Sequence, residues 1–167
     1  AYDGKLKSIY TEVSHKDIVS ERNFLSVFFK DAMADSSPLW RLLKAQVTQD
    51  MVDAIAAEYG KGRLLFLATT NLDAKRPVIW NITRIAASRQ PGALDLIRKI
   101  MLASASIPGT FPPVMFEVAA NGRTFEEMHV DGSATAQLFV YWGGVLLKDL
   151  AADHDAQRER KVYVLCN

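Results

Sequence analysis

At 167 residues and 49% hydrophobic, the chain has the length for one domain that buries roughly two-thirds of its unfolded surface, which excludes a disordered polypeptide. Lys plus Arg number 20 and Asp plus Glu 19, a formal charge of +1, so the charge balance gives no reason to expect nucleic acid, and no Lys/Arg block marks a membrane-surface patch. One cysteine, Cys166, cannot make an internal disulfide or a Cys-rich metal site.

Residues 1–15 are polar, with weak apolar spacing at Leu6, Ile9, Tyr10 and Val13, and read as a helix end running into a loop. Residues 17–33 read as a helix whose apolar face carries Ile18, Val19, Phe24, Leu25, Val27, Phe28 and Phe29. Asp35-Ser36-Ser37-Pro38 interrupts it, and Pro38 suits the first turn of a short helix over residues 39–45 that carries Trp40. Thr48 has the chemistry of an N-cap, with Asp50 in the first turn where the helix dipole favours an anion. That helix runs to Tyr59, and Gly60 is placed to end it.

Residues 63–70 contain an unbroken apolar run. Runs without alternation mark a strand covered on both faces, in the middle of an α/β sheet. A turn-rich connection over residues 71–77 leads to an alternating segment, residues 78–84, read as a second strand. Pro91-Gly92 opens a helix through Ile107, with Leu94, Ile97, Ile100, Met101 and Leu102 on its apolar side. Its end, Ala103-Ser104-Ala105-Ser106, is a patch of small residues suited to close packing. Neither serine stands in a Gly-x-Ser-x-Gly setting. Residues 108–113 hold three prolines and form a rigid turn. A strand over residues 114–118, a hairpin turn at Asn121-Gly122 and a partner strand over residues 123–130 follow. Beyond Ser133, residues 145–160 read as a helix and residues 162–166 as a strand, with Cys166 a buried structural thiol.

The second hairpin strand delivers Asp131 to its end, where Gly132 turns the chain. Two readings stand side by side. Asp-Gly is a common turn dipeptide. A carboxylate at a strand end, beside a glycine that admits close backbone, is also a place for proton transfer, because an ordinary Asp is ionised at neutral pH. His129 and Asp131 are two apart and share a strand face, as a carboxylate–imidazole pair or as unrelated hydrogen-bonded neighbours. His15, His129 and His154 are far apart, no metal-ligand spacing occurs, and no glycine-rich phosphate loop is present, so no metal and no cofactor is expected.

Three blocks in order, Leu67-Ala68-Thr69-Thr70-Asn71-Leu72-Asp73, Leu102-Ala103-Ser104-Ala105-Ser106-Ile107-Pro108-Gly109-Thr110-Phe111-Pro112-Pro113-Val114 and His129-Val130-Asp131-Gly132-Ser133, resemble the patatin-like phospholipases. The resemblance implies a three-layer α/β/α fold, incomplete at one side, and lipid acyl hydrolysis by a Ser–Asp dyad. Asp131 matches the family's catalytic aspartate, with Ser133 where the family has Gly or Ala. The family's Gly-x-Ser-x-Gly elbow and glycine-rich oxyanion loop are not among these residues. The resemblance places both before Ala1, so the chain reads as the C-terminal portion of one catalytic domain, carrying the Asp but not the Ser.

The partners implied are a lipid ester, the chain's own N-terminal half, or a second copy meeting an open sheet edge where parallel neighbours of the residue 64–68 strand are missing. The alternative is a non-catalytic module that keeps the fold and binds lipid or protein. Bacterial export and a cytoplasmic location both fit.

Overall fold

The structure, a computed structural model, describes residues 3–18, 20–21 and 34–135. The chain divides into two units, Ala1–Gln137 and Leu138–Asn167, and all described residues lie in the first. The expected helix at residues 145–160, the strand at 162–166 and the burial of Cys166 fall outside the described residues, as does most of the helix at 17–33.

In chain order the elements are α1 (Asp3–Glu12), α2 (His15–Ile18), β1 (Ser20–Glu21), β2 (Ala34–Asp35), α3 (Ser37–Gln46), α4 (Gln49–Tyr59), β3 (Phe66–Asn71), β4 (Arg76–Asn81), α5 (Ile82–Ala87), α6 (Ala93–Ser104), β5 (Val114–Ala120) and β6 (Arg123–Asp131), followed by a 3-10 turn at Gly132–Ala134. The architecture is mixed α/β: a four-stranded antiparallel sheet in the order β4-β3-β6-β5, with helices against it. A separate pairing of β1 with β2 puts Ser20 and Glu21 in a strand, not in the helix the apolar spacing predicts. Among the described residues, no helix is long and apolar enough to cross a membrane.

Local chemistry sets most boundaries. Pro38 sits in the first turn of α3, where its missing N–H costs nothing. The Thr48 hydroxyl accepts from Met51 N–H and caps α4. The predicted second strand stops at Asn81, three residues early, because the Asn81 side chain accepts from Arg84 N–H and starts α5. Residues 121 and 122, with φ of 51° and 73°, form a left-handed turn of the kind an Asn-Gly hairpin favours. Arg98, 14% exposed, reaches from α6 to the C-terminus of α3, where Nε and Nη2 donate to Val47 O at 3.0 and 2.7 Å and Nη2 to Lys44 O at 3.1 Å. These bonds satisfy carbonyls that a helix end leaves unpaired.

The sheet is two hairpins joined at a seam. β3 pairs β4 from Phe66↔Asn81 to Asn71↔Arg76, and β5 pairs β6 from Val114↔His129 to Ala120↔Arg123. Between them β3 and β6 pair only as Thr69↔Asp131, Thr70↔Val130 and Asn71↔His129. The expected inner strand is therefore inner, but both of its neighbours are antiparallel. The expectation of missing parallel neighbours is corrected, since an apolar run reports burial and not strand direction. The sheet's outer strands are β4 and β5 among the described residues, and β4 carries Pro77, which offers no N–H to an added strand.

One sheet face meets the helices. Val114, Phe116, Leu67 and Trp80 pack with Ile97, Ile100, Leu102 and Ala103 of α6, Val52 of α4 and Ile82 of α5. Ala103 is fully buried, which fits the small-residue end of α6 packing against β3 and β6. Alternation puts Thr69, His129 and Asp131 on this same face, with Ala68, Thr70 and Val130 on the other.

Candidate active site

Asp131 ends β6 and is gripped through its backbone on both sides. Its N–H donates to Ser106 O at 2.9 Å, and its carbonyl accepts from Thr70 Oγ1 at 2.9 Å. The carboxylate is half-buried, and Oδ1 accepts from Ser133 N–H at 2.8 Å. This is the Asx-type turn that the Asp-Gly dipeptide predicts. It leaves Oδ2 without a hydrogen bond among the described residues, and no cation pairs with the carboxylate there. The acceptor capacity that proton transfer needs is present.

Gly132 explains why the turn passes so close to the sheet. A Cβ at this position would stand 2.6 Å from the carbonyl oxygen of Ala68 and 2.7 Å from its Cβ. Real side chains do not approach so closely, so only glycine fits. Thr70 Oγ1 also meets Thr135 Oγ1 at 2.9 Å and binds the far end of the turn to β3.

His129 does not pair with Asp131. Its ring is 1% exposed, with Nδ1 against Thr69 Oγ1 at 2.8 Å and Nε2 against Glu127 Oε2 at 3.3 Å. Both nitrogens are occupied, so the carboxylate–imidazole alternative is excluded and the hydrogen-bonded neighbour is what forms. Phe116 and Trp80 close around it, with ring centroids 4.7 and 5.8 Å from the imidazole and 5.2 Å from each other. Ser106 is fully buried and its hydroxyl donates to Leu102 O at 2.8 Å, while Ser104 is half-buried in the last turn of α6. The role of Ser106 is to hold Asp131 through its carbonyl.

Among the described residues no group of three or more His, Cys, Asp or Glu side chains is arranged to hold a metal ion. Three residues at the site go unnoticed in the sequence: Thr69, Trp80 and Glu127. The signal for the first was the polar end of an apolar strand. Thr69, Thr70 and Asn71 are each at most 3% exposed, and polar residues buried together must find partners. Trp80 carries no such mark, because its partner lies 11 residues away on another strand, whereas Glu127 stands two residues before His129, the same strand-face spacing that relates His129 to Asp131. Comparison with known protein families finds no family model that matches the chain, and comparison with curated proteins finds no match.

Proposed function

We propose that this chain is the base-bearing, C-terminal part of a patatin-like catalytic domain, with the three-layer α/β/α architecture of that family, and that it acts in lipid ester hydrolysis. Asp131 takes the proton from a serine hydroxyl supplied from outside these residues. The serine attacks the ester carbonyl and the alcohol leaves with the proton that Asp131 returns; Asp131 then takes a proton from the water that cleaves the acyl–serine bond, freeing the carboxylic acid and giving the proton back to the serine oxygen. The observation that carries this reading is the presentation of Asp131: backbone held at N–H and C=O, one carboxylate oxygen fixed by Ser133 N–H and the other without a hydrogen bond among the described residues. A carboxylate so held loses little orientational freedom when a hydroxyl meets it. Alone, the chain is inactive, because a dyad without its nucleophile loses on the order of 10⁶ in rate.

The test is a fluorophosphonate probe on a longer natural chain that contains these residues. The reading expects covalent labelling of a serine upstream of Ala1 and loss of labelling when that serine is replaced by Ala. A chain that resists the probe refutes it. The same outcome supports the alternative, an interaction module in which the Asp131–Ser133 turn is structural only.

A further inference from the structure

Four side chains on the helix-facing side of the sheet form one hydrogen-bonded chain across three strands. Trp80 Nε1 of β4 donates to Thr69 Oγ1 of β3 at 2.8 Å, Thr69 Oγ1 meets His129 Nδ1 of β6 at 2.8 Å, and His129 Nε2 meets Glu127 Oε2 at 3.3 Å. Thr69 is 0% and His129 1% exposed, while the two ends of the chain, Trp80 and Glu127, are part-exposed, Glu127 at 35%.

What each atom can do fixes the direction of every bond. An indole N–H only donates, so the Thr69 oxygen accepts from Trp80. The hydroxyl has one proton, and among the described residues His129 Nδ1 is its sole remaining partner. Donation to Nδ1 satisfies both groups, whereas an N–H at Nδ1 leaves a buried hydroxyl proton with no acceptor. The other end of the ring gives the same answer independently. An ionised carboxylate only accepts, so Nε2 must carry the hydrogen that faces Glu127. A ring protonated at Nδ1 alone would set a lone pair against the carboxylate.

We infer that His129 is a positioning residue: a neutral imidazole protonated at Nε2 alone, its tautomer set by Thr69 and Glu127, that pins β6 to β3 where Asp131 leaves the sheet. The place matters because the seam is short. Thr69 is the register partner of Asp131, and His129 lies two residues before it on the same face. The side-chain bond therefore crosses the seam at the end from which the carboxylate is presented. Its consequence for catalysis rests on the reading of Asp131 as a base, but the tautomer and the pinning do not.

Two-bond ¹H–¹⁵N ring spectra of the full 167-residue chain at neutral pH test the tautomer, and exchange of the Asp131 amide tests the pinning. The expected wild-type spectrum shows a bare Nδ1 and a protonated Nε2. Thr69→Ser keeps the hydroxyl and should keep both the ring pattern and the amide protection, within about two-fold. Thr69→Val removes the donor and should lose the single-tautomer pattern and speed Asp131 amide exchange by about five- to ten-fold. A wild-type ring protonated at Nδ1 overturns the inference, as does a Thr69→Val chain whose ring and amide match wild type. If Thr69→Val does not fold, the wild-type spectrum and Thr69→Ser decide. None of these readouts involves turnover, so failure here is distinct from failure of the proposed reaction.

Discussion

Gly132→Ala tests the packing argument at the candidate site with a single methyl group. The added carbon meets Ala68 O at 2.6 Å, Ala68 Cβ at 2.7 Å and the Ala68 carbonyl carbon at 2.8 Å. Two of these three atoms are backbone of an inner strand and cannot rotate away. Ordinary contact needs roughly 3.5 Å or more between carbons, so turn and strand must separate by the better part of an ångström. Overpacking of this kind costs about 1–3 kcal/mol. For a chain of this length that is a fall in Tm of about 2–4 °C per kcal/mol. Gly122→Ala is the control: it has open space and a φ of 73°, so it carries backbone strain without a clash, and should cost about 1 kcal/mol. Ala68→Gly removes one of the three opposing atoms and leaves two, so it should rescue less than half of the Gly132→Ala loss in a double-mutant cycle. Urea midpoints at unchanged slope provide the measurement. A Gly132→Ala chain as stable as wild type, or one fully rescued by Ala68→Gly, would refute the claim that backbone contact dictates glycine here.

Thr48→Ala removes the acceptor of Met51 N–H and should destabilise the chain by about 1 kcal/mol in urea, with Thr48→Ser retaining most of the cap. Ile100→Ala opens a cavity at a side chain with 0% exposure and should cost about 2–5 kcal/mol by the same assay. Glu58 is held below the usual carboxylate range, first by the hydrogen bond from Lys61 and then by the charges of Lys61 and Arg63. A lowered folded-state value means that its contribution is present at neutral pH and is lost as pH falls through the acidic range in which the folded carboxylate protonates. Glu58→Gln should therefore flatten the acid side of the stability curve, and a curve with an unchanged acid limb contradicts the assignment.

The elements that were legible in the sequence were those written in local chemistry. Thr48 as a cap, Pro38 in a first turn and Asn121-Gly122 as a hairpin each depend on neighbours within a few residues, and each forms as expected. Gly60 follows α4 as its spacing predicts, although its own φ is −63° and the left-handed turn comes at Gly62, at 75°. Residues 78–84 misled because hydrophobic alternation continued past Asn81, while the deciding bond, from Arg84 N–H to the Asn81 side chain, is a capping signal that alternation hides. Strand direction was not legible at all, since the apolar run before Thr69 records coverage alone. At the site, Asp131 and Gly132 could be found because a turn dipeptide at a strand end is a local feature. The Thr69–His129 bond could not, because it joins residues 60 apart and depends on the β3–β6 register.

Ester turnover by a longer natural chain containing these residues, compared between wild type and Asp131→Asn, decides whether Asp131 is the base. The isosteric amide keeps an oxygen for Ser133 N–H but loses the ability to take a proton. The substitution should lower kcat by about 10²–10⁴-fold with folding unchanged. An Asp131→Asn chain that hydrolyses the ester at the wild-type rate contradicts that role.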